Sequence, residues 1–160
     1  MFLNDGDPAQ TGRRAMALKV ELKPGERILI GESVITNGDQ RTRFLVEGTA
    51  PILREKDIMT AKAADTPAKR IYLAVQLMYI SGDPMKHHQV YFSLMQDILQ
   101  AAPSTGKYIA NINNQILTGD LYKALKSAKK LIDYEQELFQ HATGGGASIR
   151  GGGKADRQSA

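Results

Sequence analysis

The chain predicts an α+β fold, with a small N-terminal antiparallel β-sheet or partial barrel of about five strands followed by a four-helix half. Apolar and polar residues alternate at period two from Leu18 to about Arg54, the pattern of half-buried strands. Turn dipeptides cut that stretch into short runs. From Thr66 onward the apolar spacing becomes helical, with Pro and Gly at the breaks.

Leu18, Val20 and Leu22 alternate with Lys19, Glu21 and Lys23, which predicts a first strand with one buried face. Pro24-Gly25 supplies a fixed φ followed by a residue tolerant of positive φ, the chemistry of a type II turn. A second strand spans Arg27 to Ile30, and Gly31-Glu32 turns it into a third, Ser33 to Thr36. Asn37-Gly38 predicts a type I′ hairpin, which needs positive φ twice. The fourth strand, Arg41 to Glu47, sets Thr42, Phe44 and Val46 on one face and Arg41, Arg43, Leu45 and Glu47 on the other. Gly48 to Pro51 breaks it, and Ile52 to Arg54 makes a short last strand. Asp57 is placed to cap a helical turn through Ile58 and Met59.

Thr66-Pro67 is an N-cap followed by proline at the first helical position. The helix it starts, Pro67 to Ile80, is apolar on nearly every face and therefore expected at the centre of the helical half. Gly82-Asp83-Pro84 ends it and starts a second helix to about Ala102, carrying Val90, Leu94, Ile98 and Ala101. Pro103 to Gly106 separates a third, Lys107 to Leu117, with Ile109, Ile112 and Ile116 on one side. After Gly119, Asp120 is placed to cap a fourth, Leu121 to about His141.

A length of 160 residues fits one domain, placed at 16–142 with a β part over 16–56 and a helical part over 57–142. Residues 1–15 lack periodicity and are expected to be a disordered N-terminal extension. Glycine triplets at 144–146 and 151–153 make 143–160 a flexible tail. The chain has no cysteine, which excludes disulfides, thiolate metal sites and thiol nucleophiles. Residues 1–15 show no apolar segment of a signal peptide. The longest apolar run, 71–80, is interrupted by Gln76 and reaches about half of the ~20 residues that span a bilayer, so a soluble, cytoplasmic protein is expected.

Catalytic chemistry finds little support. His87 and His88 point about 100° apart on a helix, and no Asp or Glu lies three or four residues after either to complete a metal site. His141 falls at the end of the last helix, where a cation suits the dipole. No phosphate-binding glycine loop is present, and Ser33 and Ser93 have no nucleophile–base pattern. Asp97, Asp133 and Glu135 fit solvated helix faces. An enzyme is the class least supported, and no metal or cofactor is expected.

The net charge of +4 is not by itself a nucleic-acid signal. Residues 1–62 carry ten Lys or Arg against nine acids, and residues 63–142 carry eight against seven. Local clusters matter more. Arg41 and Arg43 project from one strand face, Arg54 and Lys56 flank a strand end, and Lys69 and Arg70 open the first helix. Guanidinium groups on a sheet can hold phosphates and stack on unpaired bases, which suits single-stranded RNA. The same cations intermix with Glu47, Glu55 and Asp57, so a balanced polar face is the alternative. Lys123, Lys126, Lys129 and Lys130, followed by Asp133, Glu135 and Glu137, fit a solvated helix face.

Several strings in one order carry a resemblance to a known family: LKPGERILI at 22–30, NGD at 37–39, FLVEGTAPILREKDI at 44–58, TPAKRIYLAVQLM at 66–78 and GDLYKALKSAKKLIDYE at 119–135. Over about Leu18 to Leu138 the chain resembles the FlbT flagellar regulators. That resemblance implies a post-transcriptional regulator, commonly a repressor and in some members an activator. Such a protein associates with the 5′ untranslated leader of flagellin messenger RNA and controls its translation and decay. The resemblance fixes no RNA contacts by motif; by residue type and placement Arg41, Arg43, Arg54, Lys56, Lys69 and Arg70 are the candidate RNA contacts. A protein-binding adaptor for flagellin or another flagellar regulator is the alternative, and a homodimer is a further option. Residues 18–31 and 52–55 also look like the first and last strands of the carbon storage regulator family of RNA binders, which would make Arg54 the main RNA side chain.

Overall fold

The computed structural model describes residues 16–145. Five strands precede four helices, as the alternation and the later helical spacing require. Two compact units form. One holds the described residues through Ile58 together with Ile80–Gly82; the other holds Met59–Tyr79 and the described residues from Asp83 onward. The sequence readings of residues 1–15 and of 146–160 lie outside the described residues.

In the first unit the strands are β1 (Met16–Leu22), β2 (Arg27–Ile30), β3 (Ser33–Thr36), β4 (Thr42–Gly48) and β5 (Ile52–Arg54). They form two sheets: β1 pairs with β4, and β2 lies between β3 and β5, all antiparallel. Val20 faces Phe44 and Leu18 faces Val46 across the first ladder, while Glu21 faces Arg43 and Lys19 faces Leu45. Opposite residues of an antiparallel pair share a face. The apolar set of β1 and β4 therefore lies on one side and the charged set on the other. Val20, Leu22 and Ile28 make a buried cluster, with Ile30, Phe44, Val46 and Ile52 packed against it. Burying each such aliphatic side chain contributes about 1.5–3 kcal/mol.

The turn at 24–25 forms as expected: Gly25 has φ 75° and Glu26 donates its amide to the Lys23 carbonyl at 3.0 Å. Asn37-Gly38 does not make the expected hairpin. β3 and β4 lie in different sheets, and Gly38 lacks the positive φ of a type I′ turn. The Asn37 amide instead donates to the carbonyls of Leu22, Lys23 and Gln40 at 3.1, 2.8 and 2.8 Å. Gly25 donates to the Gly38 carbonyl at 2.8 Å. Long-range partners at the β1–β2 turn satisfy this loop, and they outweigh the local turn preference. Asp57 likewise caps no helix; it ends a single 3-10 turn, Glu55–Asp57, after which Ile58 is extended.

In the second unit Thr66 caps α1 (Pro67–Ser81), accepting the Lys69 amide on its hydroxyl at 3.2 Å. Ile71, Val75 and Met78 are fully buried, in keeping with a helix apolar on most faces. Gln76, the polar interruption, is 4% exposed and pairs with both backbone groups of Met59: it accepts the amide at 2.7 Å and donates to the carbonyl at 2.9 Å. A buried amide with both ends satisfied costs little. The helix expected from Pro84 is a 3-10 turn, Pro84–His87, followed by α2 (His88–Ala101).

α3 (Gly106–Leu117) and α4 (Leu121–Gln140) pack together, with Ile109, Ile112, Ala124, Leu125, Ala128 and Leu131 buried. Gly119, at φ 79°, joins them. Its amide donates to Ile116 and that of Asp120 donates to Gln115, at 3.1 and 2.8 Å, the two bonds of a Schellman motif. The Asp120 side chain does not cap α4; it pairs with Lys123 at 3.5 Å. Burial pushes the Tyr91 phenol well above its usual range, and its hydroxyl donates to Asn113 Oδ1 at 2.6 Å.

Candidate functional site

The candidate cations divide between the two units and are taken in turn. In the first unit Arg41, just before β4, donates to Glu21 Oε2 at 3.1 Å. Arg54, at the end of β5, donates through Nη2 to the Glu21 carbonyl of β1 at 3.0 Å and lies 3.7 Å from Glu26 Oε2. That side chain ties the three-stranded sheet to the two-stranded one. Its Nε is buried without a hydrogen-bond partner among the described residues. Glu55 accepts the Arg27 amide at 2.6 Å and lies 3.9 Å from its guanidinium.

Glu21 and Glu26, not the acids intermixed with the candidates in the sequence, thus engage two of them, Arg41 and Arg54. Arg43 and Lys56 stand differently: both are exposed, and among the described residues neither forms an ion pair. The strand register adds a cation that spacing alone did not single out. Lys19 lies across from Leu45, diagonal to Arg43 on the same face. Lys19, Val20, Glu21, Arg43, Phe44 and Leu45 line a cleft of about 550 Å³. The period-two pattern put Lys19 outward; only the pairing of β1 with β4 set it beside Arg43.

In the second unit Lys69 pairs with Asp65 at 3.4 Å, while Arg70 is exposed. The first turn of α1 also receives an acid that the sequence reading placed on a solvated face. Glu135 of α4 is 5% exposed and accepts the Ala68 amide at 3.0 Å. A helix N-terminus leaves its first amides unpaired and carries positive partial charge, so a buried carboxylate is stabilised there. Among the described residues no three His, Cys, Asp or Glu side chains come together to hold a metal ion. Among them, too, no helix is long and apolar enough to cross a membrane.

Among the described residues this arrangement offers no nucleophile–base pair and no acid dyad. It offers exposed cations, Lys19 and Arg43, side by side on one face of a sheet, which can hold a polyanion.

Comparison with known proteins places the chain among flagellar proteins. The family model of the flagellar protein FlbT matches residues 18–139. A protein of Bradyrhizobium diazoefficiens named probable flagellum biosynthesis repressor protein FlbT 1 is 63% identical over 124 residues, covering 77% of this chain and 85% of its own. One of Rhodopseudomonas palustris, named probable flagellum biosynthesis repressor protein FlbT, is 54% identical over 124 residues, with 78% and 98% covered. The flagellum biosynthesis repressor protein FlbT of Caulobacter vibrioides is 33% identical over 143 residues, with 88% and 99% covered. No solved structure matches the chain.

Proposed function

The chain belongs to the FlbT family of flagellar proteins, and from that premise we propose that it is a repressor of flagellum synthesis. We infer further that it acts in the cytoplasm on messenger RNA, by binding the 5′ untranslated leader of flagellin transcripts and blocking their translation or promoting their decay. The repressor reading rests on the names of relatives that share most of this chain's length. The RNA reading is supported by one observation above the rest: Lys19 and Arg43 lie side by side, exposed, on the outward face of the β1–β4 sheet. Basic side chains clustered on a sheet face can hold the phosphates of single-stranded RNA.

In this reading Arg43 and Lys19 neutralise phosphates at the cleft, and Lys56 extends the cationic surface beyond β5. Arg70, in the second unit, is a separate exposed candidate. Arg41, Arg54 and Lys69, candidates by residue type, have their charge engaged by Glu21, Glu26 and Asp65 and contribute less. Each neutralised phosphate of a single strand releases counterions, with a slope of about −0.7 per contact in log affinity against log salt.

The test is a fluorescence-anisotropy titration of the purified protein against a flagellin leader RNA and a scrambled RNA of equal length, at two salt concentrations. Leader-selective binding that weakens with salt is expected. Arg43→Ala should weaken it and make the salt slope shallower by about 0.7. Equal binding of both RNAs, or none, would move the function to a second reading, a protein-binding adaptor for flagellin or another flagellar regulator. That reading is favoured by apolar side chains left exposed around α2: Met85, Val90 and Phe92.

A further inference from the structure

β4 is an open edge strand of the first unit. It belongs to a sheet of only two strands, so among the described residues its outer edge has no strand partner, and none of its seven residues is buried. An isolated two-stranded ribbon is marginal in water, and an open edge is a template for another strand. The outward face of β4 carries Arg43, Leu45 and Glu47; Leu45 is 56% exposed. Among the described residues neither Arg43 nor Glu47 forms an ion pair.

These residues are self-complementary about Leu45. We propose that β4 pairs antiparallel with β4 of a second copy of this chain, across a two-fold axis through Leu45, making a four-stranded sheet in the order β1-β4-β4-β1. A two-fold perpendicular to a sheet keeps outward side chains outward, so opposite residues must be of the same parity. With Leu45 on the axis, Arg43 lies opposite Glu47 of the second copy and Leu45 opposite its equivalent. On the inner face, Phe44 lies opposite Val46 of the second copy. Every outward position then meets an opposite charge or an apolar partner, the pairs that stabilise antiparallel strands.

The other open edges fit less well. β1 centred on Lys19 sets two lysines against each other; centred on Val20 it needs Glu21, which Arg41 already engages. β3 carries no charge to fix a register. Arg43 keeps the guanidinium N–H groups that Glu47 of the second copy does not use, so pairing does not remove it from the cleft.

The test exploits the absence of cysteine from the chain. Directly opposite Cα atoms lie about 4.5–5.5 Å apart, within the range a disulfide bridges. On oxidation Leu45→Cys should therefore form a covalent dimer on a non-reducing gel, while Val34→Cys on exposed β3 should stay monomeric. In size-exclusion light scattering the unmodified full chain should be a dimer. Arg43→Glu and Glu47→Arg should each be folded monomers by circular dichroism, and their equimolar mixture should associate, because the mixed pair restores both contacts. A monomeric wild-type protein would overturn the proposal, as would charge variants that dimerise unchanged. Cross-linking of the Val34→Cys variant as complete as that of Leu45→Cys would also overturn it, and so would a mixture of the charge variants that stays monomeric.

Discussion

Arg54 separates a side chain that builds the fold from one that contacts RNA. By residue type and position it is a strong RNA candidate, yet its guanidinium donates to the Glu21 carbonyl of the other sheet at 3.0 Å. A hydrogen bond from a charged donor contributes about 1.5–3 kcal/mol. The pair with Glu26, 3.7 Å apart with the arginine 42% exposed, adds at most about 1 kcal/mol after solvent screening. Arg54 Nε, buried without a partner among the described residues, offsets part of this, since removing the side chain removes that unpaired N–H. Arg54→Ala should therefore destabilise the first unit by about 2–3 kcal/mol. Urea unfolding followed by circular dichroism, with a slope of about 1–3 kcal/mol per molar, should show a midpoint lower by about 1 M or more. Arg43→Ala, on an exposed strand face, should stay within about 0.5 kcal/mol of wild type. Leader affinity measured on the same proteins completes the comparison. If Arg54→Ala unfolded at the wild-type midpoint yet lost leader binding, its role as a tie between sheets would be refuted and RNA contact would take its place.

Two further outcomes bear on the second unit. Glu135→Ala leaves the buried Ala68 amide without its acceptor and should cost about 1.5–3 kcal/mol in urea unfolding; Glu135→Gln, which keeps an acceptor oxygen but not the charge at the helix N-terminus, should cost less. Equal stability of all three proteins would remove Glu135 from the cap. The Tyr91 phenol holds its proton in the folded chain above the pKa of about 10 it has when unfolded. The stability this provides is present below about pH 10 and is lost as pH rises further, by up to about 1.4 kcal/mol per pH unit. Tyr91→Phe lacks that loss, so its stability relative to wild type should rise above pH 10; parallel pH profiles would contradict the burial of the phenol.

Local sequence determined what depends on local chemistry. Period-two alternation placed Val20 and Leu22 inside and Lys19 and Arg43 outside, because successive strand residues face opposite ways. Thr66-Pro67 fixed the start of α1, since a hydroxyl acceptor and a residue without an N–H both suit a helix N-terminus. Gly119 fixed the α3–α4 junction through its positive φ. The family, too, was legible in the order of short strings from residue 22 to 135.

Tertiary structure decided every question that turned on a distant partner. Asn37-Gly38 has the composition of a hairpin, but three carbonyls, two of them across the β1–β2 turn, hold the asparagine amide and send β4 to another sheet. Glu135 sits among exposed lysines and acids in sequence, yet the unpaired amides of a helix start 67 residues away hold it buried. The six candidate cations look alike by residue type. Glu21, Glu26 and Asp65 engage three of them, and Arg43 is left beside Lys19 only because β1 pairs with β4 in that register. Composition fixes how many charges a chain carries; the pairing of segments far apart in sequence fixes which of them remain free to act.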